Sequence, residues 1–116
     1  MAKPGAKTAA IAETVDIYPT LCELSGVPAP RGLSGKSLGG QLKDPGSEGD
    51  PAIAYRGNME TIRTPQYRLI RHRTRDGEAA FELYDHSGTD GETTNLAARK
   101  PDVVRELSTL IDRKMK

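Results

Sequence analysis

Arg63, Arg68, Arg71, His72, Arg73 and Arg75 crowd one short stretch of the chain. On extended backbone, successive side chains point to opposite faces, so a run like this spreads positive charge over neighbouring strands. A surface of that kind attracts anions. Arg63, Arg71, His72 and Arg73 are therefore the candidates for the rim of an anionic substrate's site. The competing reading is a solvated sheet face balanced by Glu60, Asp76, Glu78 and Glu82, where exposed ion pairs contribute little. His72 taken alone reads as an exposed strand residue.

Other reactive side chains are sparse. Cys22 is the sole cysteine, so it forms no internal disulfide and offers no metal-ligand spacing. It reads as a small apolar filler near a helix face. Asp85, Glu92 and Asn95 carry oxygen donors of the type that hold a hard cation. In "DHSGTDGETTN" their expected work is turn and cap bonding to backbone N–H groups. The residues thus nominate no catalytic group and no metal ligand.

The chain carries 17 basic and 16 acidic residues, a balance that argues against a dedicated nucleic-acid binder. It also argues against charge-driven disorder. Leu, Ile, Val and Phe are 21 of the 116 residues, just under the roughly one-fifth below which a packed core becomes hard to build. A thinly cored chain is expected, dependent on surface buried against something else. The opening "MAKPGAKTAA" has basic residues but no apolar run, so it reads neither as a signal peptide nor as a membrane span.

The elements that position these residues follow from local patterns. "DIYPTLCELSG" predicts a helix over about 16–25, with Asp16 as N-cap, Pro19 where no intrahelical donor is lost, and Gly26 as the left-handed stop. Ile17, Leu21 and Leu24 make its apolar stripe. The segment just before it is expected to be extended near Val15. Residues 27–49 form a long Pro/Gly-rich connection, with one helical turn in "GKSLGGQLKD" that sets Leu38 and Leu42 on one side. "AIAYRGN", "ETIRT", "YRLIRHR" and "AAFELYD" read as four short antiparallel strands. In the third, the apolar residues lead and the charged ones follow, so its second half is expected to run into solvent. Asp76-Gly77 suggests a type I′ hairpin turn. "PDVVRELSTLIDRKMK" predicts a helix with Pro101 first, Asp102 at its positive end, Arg113, Lys114 and Lys116 at its negative end, and a stripe of Val103, Val104, Leu107, Leu110 and Ile111.

Taken together, "VDIYPTLCELSGVPAPRGLSGKSL", "IRTPQYRLIRHR" and "ELYDHSGTDGETTNLAARKPD" resemble the C-terminal portion of the type I sulfatases of the alkaline-phosphatase-like superfamily, most closely the iduronate-2-sulfatase-like branch. The shared phrases are Asp-x-x-Pro-Thr-Leu, Gly-x-Ser-Leu, Arg-Thr-x-x-Tyr-Arg and Leu-Tyr-Asp…Glu-x-x-Asn-Leu-Ala, in family order. The resemblance implies an α+β C-terminal subdomain over 50–116, about four antiparallel strands with a packed helix. It implies that residues 1–49 are the tail end of an α/β catalytic domain plus a connecting loop, with the Asp16 helix packed on a sheet outside this chain.

It further implies a complete enzyme that hydrolyses sulfuric esters of sugars or glycans with formylglycine and calcium. The formylglycine motif, Cys/Ser-x-Pro/Ala-x-Arg, is absent from this sequence; Cys22 is followed by Glu23, Leu24, Ser25 and Gly26. The chain alone is therefore expected to be inactive, with the missing catalytic domain as its partner and self-association through the helix stripe as a substitute. The rival reading is an independent module that holds anionic glycans on its basic strand face. Departures from the family pattern are Thr89-Asp90 in place of Asp-Pro, and Gly39, Gly40 and Gln41 in place of apolar residues.

Overall fold

A computed structural model of the chain describes residues 4–115, and these divide into two compact units, one up to Asp50 and one from Pro51 onward. Lys116 lies outside the described residues.

In the first unit a 3-10 turn, Thr14–Asp16, runs directly into α1, Ile17–Leu24. This corrects the expectation of extended chain at Val15, and the cause is Asp16. Its carboxylate accepts the Glu13 N–H (2.8 Å), the Glu13 side chain answers from the other side of the capping box, and no side-chain bond caps α1 itself. Asp16 therefore closes the turn before the helix rather than capping the helix. The far end stops as expected. Gly26 has φ +69°, the Val27 N–H reaches the Cys22 carbonyl (2.9 Å) and the Gly26 N–H reaches that of Glu23 (3.2 Å), which is a Schellman pair.

The long connection folds back onto this turn and helix through two backbone N–H groups that donate to side-chain oxygens. The Lys36 N–H donates to Asp16 Oδ1 (2.9 Å) and the Leu38 N–H to Thr20 Oγ1 (2.8 Å), while the Thr20 hydroxyl donates to the Asp16 carbonyl (2.6 Å). Gly35 lies so close that a Cβ there would come within 2.1 Å of the Val15 carbonyl oxygen. The Asp-x-x-Pro-Thr-Leu and Gly-x-Ser-Leu phrases are thus two halves of one clasp. α2, Gly39–Lys43, follows, with the Leu42 N–H bonded to the Leu38 carbonyl. Gly39 is buried, and a Cβ on it would press into the Glu23 carboxylate, so the glycine there permits packing instead of removing it. Thr20→Val should leave the Leu38 N–H without an acceptor at a cost of about 1–3 kcal/mol. The expected reading is faster amide exchange at Leu38 with amides of the second unit unchanged.

The second unit is a meander of β1 Ala52–Arg56, β2 Met59–Arg63, β3 Tyr67–Arg73 and β4 Ala79–Asp85, in that order and all antiparallel, followed by α3, Pro101–Lys114. Ile53, Ile62, Leu69 and Leu83 face one another across the four strands. Ile62, Leu69 and Leu83 are fully buried with Val104, Leu107 and Ile111 of α3, and Val103 and Leu110 pack at the margin. The expected helix stripe is the observed one. At Asp76-Gly77 only the glycine has positive φ (+82°). The Gly77 N–H bonds the Thr74 carbonyl and the Thr74 N–H the Glu78 carbonyl, so this is a three-residue loop closed by a glycine bulge rather than a type I′ turn. No helix among the described residues is long and apolar enough to cross a membrane.

Candidate functional site

The four expected rim residues fall on two faces of the sheet. Tyr67, Leu69, Arg71 and Arg73 point towards α3, and Arg68, Ile70 and His72 point away, with Arg63 opposite Arg68 on the neighbouring strand.

On the α3 side Arg71 is paired and buried, while Arg73 is paired but 56% exposed. Arg71 is 6% exposed and Glu60, directly opposite, 9%. Arg71 Nε donates to Glu60 Oε2 (2.6 Å) and its Nη2 to Asp112 Oδ1 (2.8 Å), and Arg73 Nε adds a bond to Glu60 (3.1 Å). Burial pushes the Glu60 carboxyl up, but the hydrogen bonds and charges of Arg71 and Arg73 outweigh it and hold the group below its ordinary value. The second half of β3 therefore reaches solvent only at its last residue, Arg73. Arg71 is enclosed under the end of α3 by Glu60 and Asp112 and is unavailable to a ligand.

On the other face His72 Nε2 lies 2.8 Å from Glu82 Oε1, and Tyr84 donates its hydroxyl to Glu82 Oε2. The Tyr84 bond, then that of His72, holds the Glu82 carboxyl below its ordinary value. Arg63 and Arg68 flank the tight turn Thr64–Gln66, which is closed by the Thr64 N–H on the Tyr67 carbonyl (2.8 Å) and the Tyr67 N–H on Thr64 Oγ1 (2.9 Å). Among the described residues Arg63 donates only to the adjacent Thr64 carbonyl. Arg68 Nε lies 2.6 Å from Glu92 Oε1 but off the N–H direction, so it makes a charge contact without an aligned hydrogen bond. Glu92 also meets His86 Nε2 (2.9 Å).

The remaining candidates take structural places. Cys22 is buried. Asp85 accepts from the N–H and hydroxyl of Ser87, in the turn role expected of it. Asn95 bonds β4, its Oδ1 accepting the Leu83 N–H (3.0 Å) and its Nδ2 donating to the Phe81 carbonyl (3.1 Å). Glu92 serves an ion pair rather than a turn. Among the described residues no group of three or more His, Cys, Asp or Glu could hold a metal ion. With Cys22 enclosed and no such group, these residues do not fit a formylglycine or a calcium site.

No family model matches the chain. It is 33% identical over 76% of its length to a sulfatase of Formosa agariphila, and 31% identical over 94% to an arylsulfatase K of Danio rerio. A protein solved in complex with its substrate D-glucosamine-2-N,6-O-disulfate superposes on 96% of the chain with a TM-score of 0.75 at 25% identity. The chain is a homologue of the C-terminal portion of sulfatases. This sulfatase segment spans 19% and 23% of the length of those two curated relatives and 25% of the structural neighbour. The four-stranded sheet with its helix is the sulfatase C-terminal subdomain, as the motifs implied. Glu60 was expected to balance the cluster, but as a solvated group and not a buried one, whereas Asp112, on the last helix, carried no sequence signal. The arginines at both ends of Arg-Thr-x-x-Tyr-Arg were the available signal for the opposed pair Arg63 and Arg68.

Proposed function

We propose that the complete protein to which this segment belongs is a sulfuric ester hydrolase acting on sulfated sugars. Residues 1–49 end its α/β catalytic domain, residues 50–116 form its C-terminal subdomain, and the segment alone is inactive. The observation that supports this is homology to sulfatases along 94% of the chain. Formylglycine supplies the nucleophile and calcium polarises the sulfate in such enzymes. Neither fits the residues present here, so both belong to the portion outside this chain.

The partner reading has its own support. Val15, Ile17, Tyr18, Leu21, Leu24 and Val27 are each at least half exposed, a contiguous apolar stretch of the kind that marks an interaction surface. The catalytic domain is the occupant that a chain spanning about a fifth of its relatives leaves out. The test is sulfate release from D-glucosamine-2-N,6-O-disulfate with calcium present. The chain alone should match a no-protein control, and the reading frame extended upstream should contain a Cys/Ser-x-Pro/Ala-x-Arg motif and turn the substrate over. Turnover by the purified chain, or an extended frame without the motif, refutes the proposal.

A further inference from the structure

We infer that Arg63 and Arg68 together bind a sulfate group of a sugar on the sheet face turned away from α3. The sugar's identity rests on the reading above; the anion site itself does not.

The two arginines are direct cross-strand partners on β2 and β3, where like charges oppose each other at side-chain distance and destabilise the sheet. Burial first, and then the charge of Arg68, lowers the Arg63 pKa against the opposing pull of Glu92. Among the described residues the one carboxylate that offsets them is Glu92, which is shared between Arg68 and His86. Glu82, on the same face, has its two oxygens taken by His72 and Tyr84. The pair on the opposite face is built differently, since Arg71 and Arg73 meet two carboxylates, Glu60 and Asp112. One arginine pair is neutralised by two carboxylates, and the other keeps unspent donors beside an exposed turn. A guanidinium fork engages two oxygens of an anion, and a carboxylate has no more than two. A tetrahedral sulfate has a third oxygen to offer the second arginine, which is why the facing pair favours sulfate. Tyr84, opposite Arg68 on β4 and held by its bond to Glu82, stands beside the pair as a fixed ring for the sugar.

Titration calorimetry of the full chain at low salt decides the matter, with D-glucosamine-2-N,6-O-disulfate, glucuronate and D-glucosamine as probes. The disulfate should bind and the other two should not. Arg63→Gln should weaken binding about tenfold, the loss of one charge-assisted bond, and Arg63→Lys, which keeps charge but not the fork, should fall between. Arg73→Gln, on the opposite face, should change nothing. Circular dichroism of each variant establishes that it is folded. Equal binding of glucuronate, no effect of Arg63→Gln in the folded variant, or an equal loss with Arg73→Gln overturns the inference. Because no turnover is read, a chain that binds the disulfate but belongs to an inactive complete protein refutes the enzymatic reading alone.

Discussion

Replacing Arg71 by alanine is expected to cost the second unit about 3–5 kcal/mol, the usual penalty for removing one partner of a buried ion pair. Glu60 would remain 9% exposed with only Arg73 to answer it. A unit of this size holds only a few kcal/mol in total, so Arg71→Ala should be largely unfolded in urea or thermal melts. Replacing both partners, as Glu60→Leu with Arg71→Met, should recover most of the loss, because an apolar pair of similar volume needs no compensation in the interior. Asp112 is half exposed, and Asp112→Asn should be mild. A folded, near-native Arg71→Ala would mean that the cluster is solvated rather than enclosed.

The same cluster sets an acid limit. The Glu60 carboxyl is held below its ordinary value of 4.5, so its stabilisation is complete above that pH and is lost as the pH falls through the lower, folded value. Glu82 is lowered in the same direction by Tyr84 and His72. The second unit should therefore melt progressively more easily below about pH 4.5, and the double replacement at 60 and 71 should reduce that slope.

What the sequence disclosed divides along the range of the interactions involved. The third and fourth strands and the start of the last helix were readable to the residue, because alternation, β-branched residues, Pro101 and the apolar stripe are local signals. Arg71 was misread as solvent-bound because its partners stand 11 and 41 residues away, beyond what any periodicity records. Asp16 was assigned to the wrong end of its own turn, because the same residue type serves either as N-cap or as the third member of a capping box. Its second bond, to the Lys36 N–H, lies 20 residues on. Of the candidate site, the motif Arg-Thr-x-x-Tyr-Arg contained both Arg63 and Arg68, yet a list of cations gave no account of which were neutralised.

Charged replacements on the exposed face of α1 should separate the stability of the chain from its assembly. Every large, fully buried side chain, Ile62, Leu69, Leu83 and Ile111, lies in the second unit, whereas Ile17, Leu21 and Leu24 stand 52%, 56% and 61% exposed in the first. Leu21→Glu with Leu24→Glu should thus shift the chain's own melting by no more than about 0.5 kcal/mol, the ordinary scale for surface changes. Covering a leucine is worth about 1.5–3 kcal/mol, so the same double change should weaken association with a separately produced catalytic portion by roughly a hundredfold or more, and should also abolish self-association at high concentration. Amide exchange supplies the complementary measurement. With only Pro19, Thr20 and Cys22 buried in α1, its amides should exchange well before those of β3 and β4, since local opening there exposes little apolar surface. If α1 proved as protected as β3 and β4 in a dilute, verified monomer, the first unit would have a complete core of its own, the catalytic domain would not be needed to cover it, and the reading as an independent glycan-binding module would replace that of an enzyme's C-terminal part.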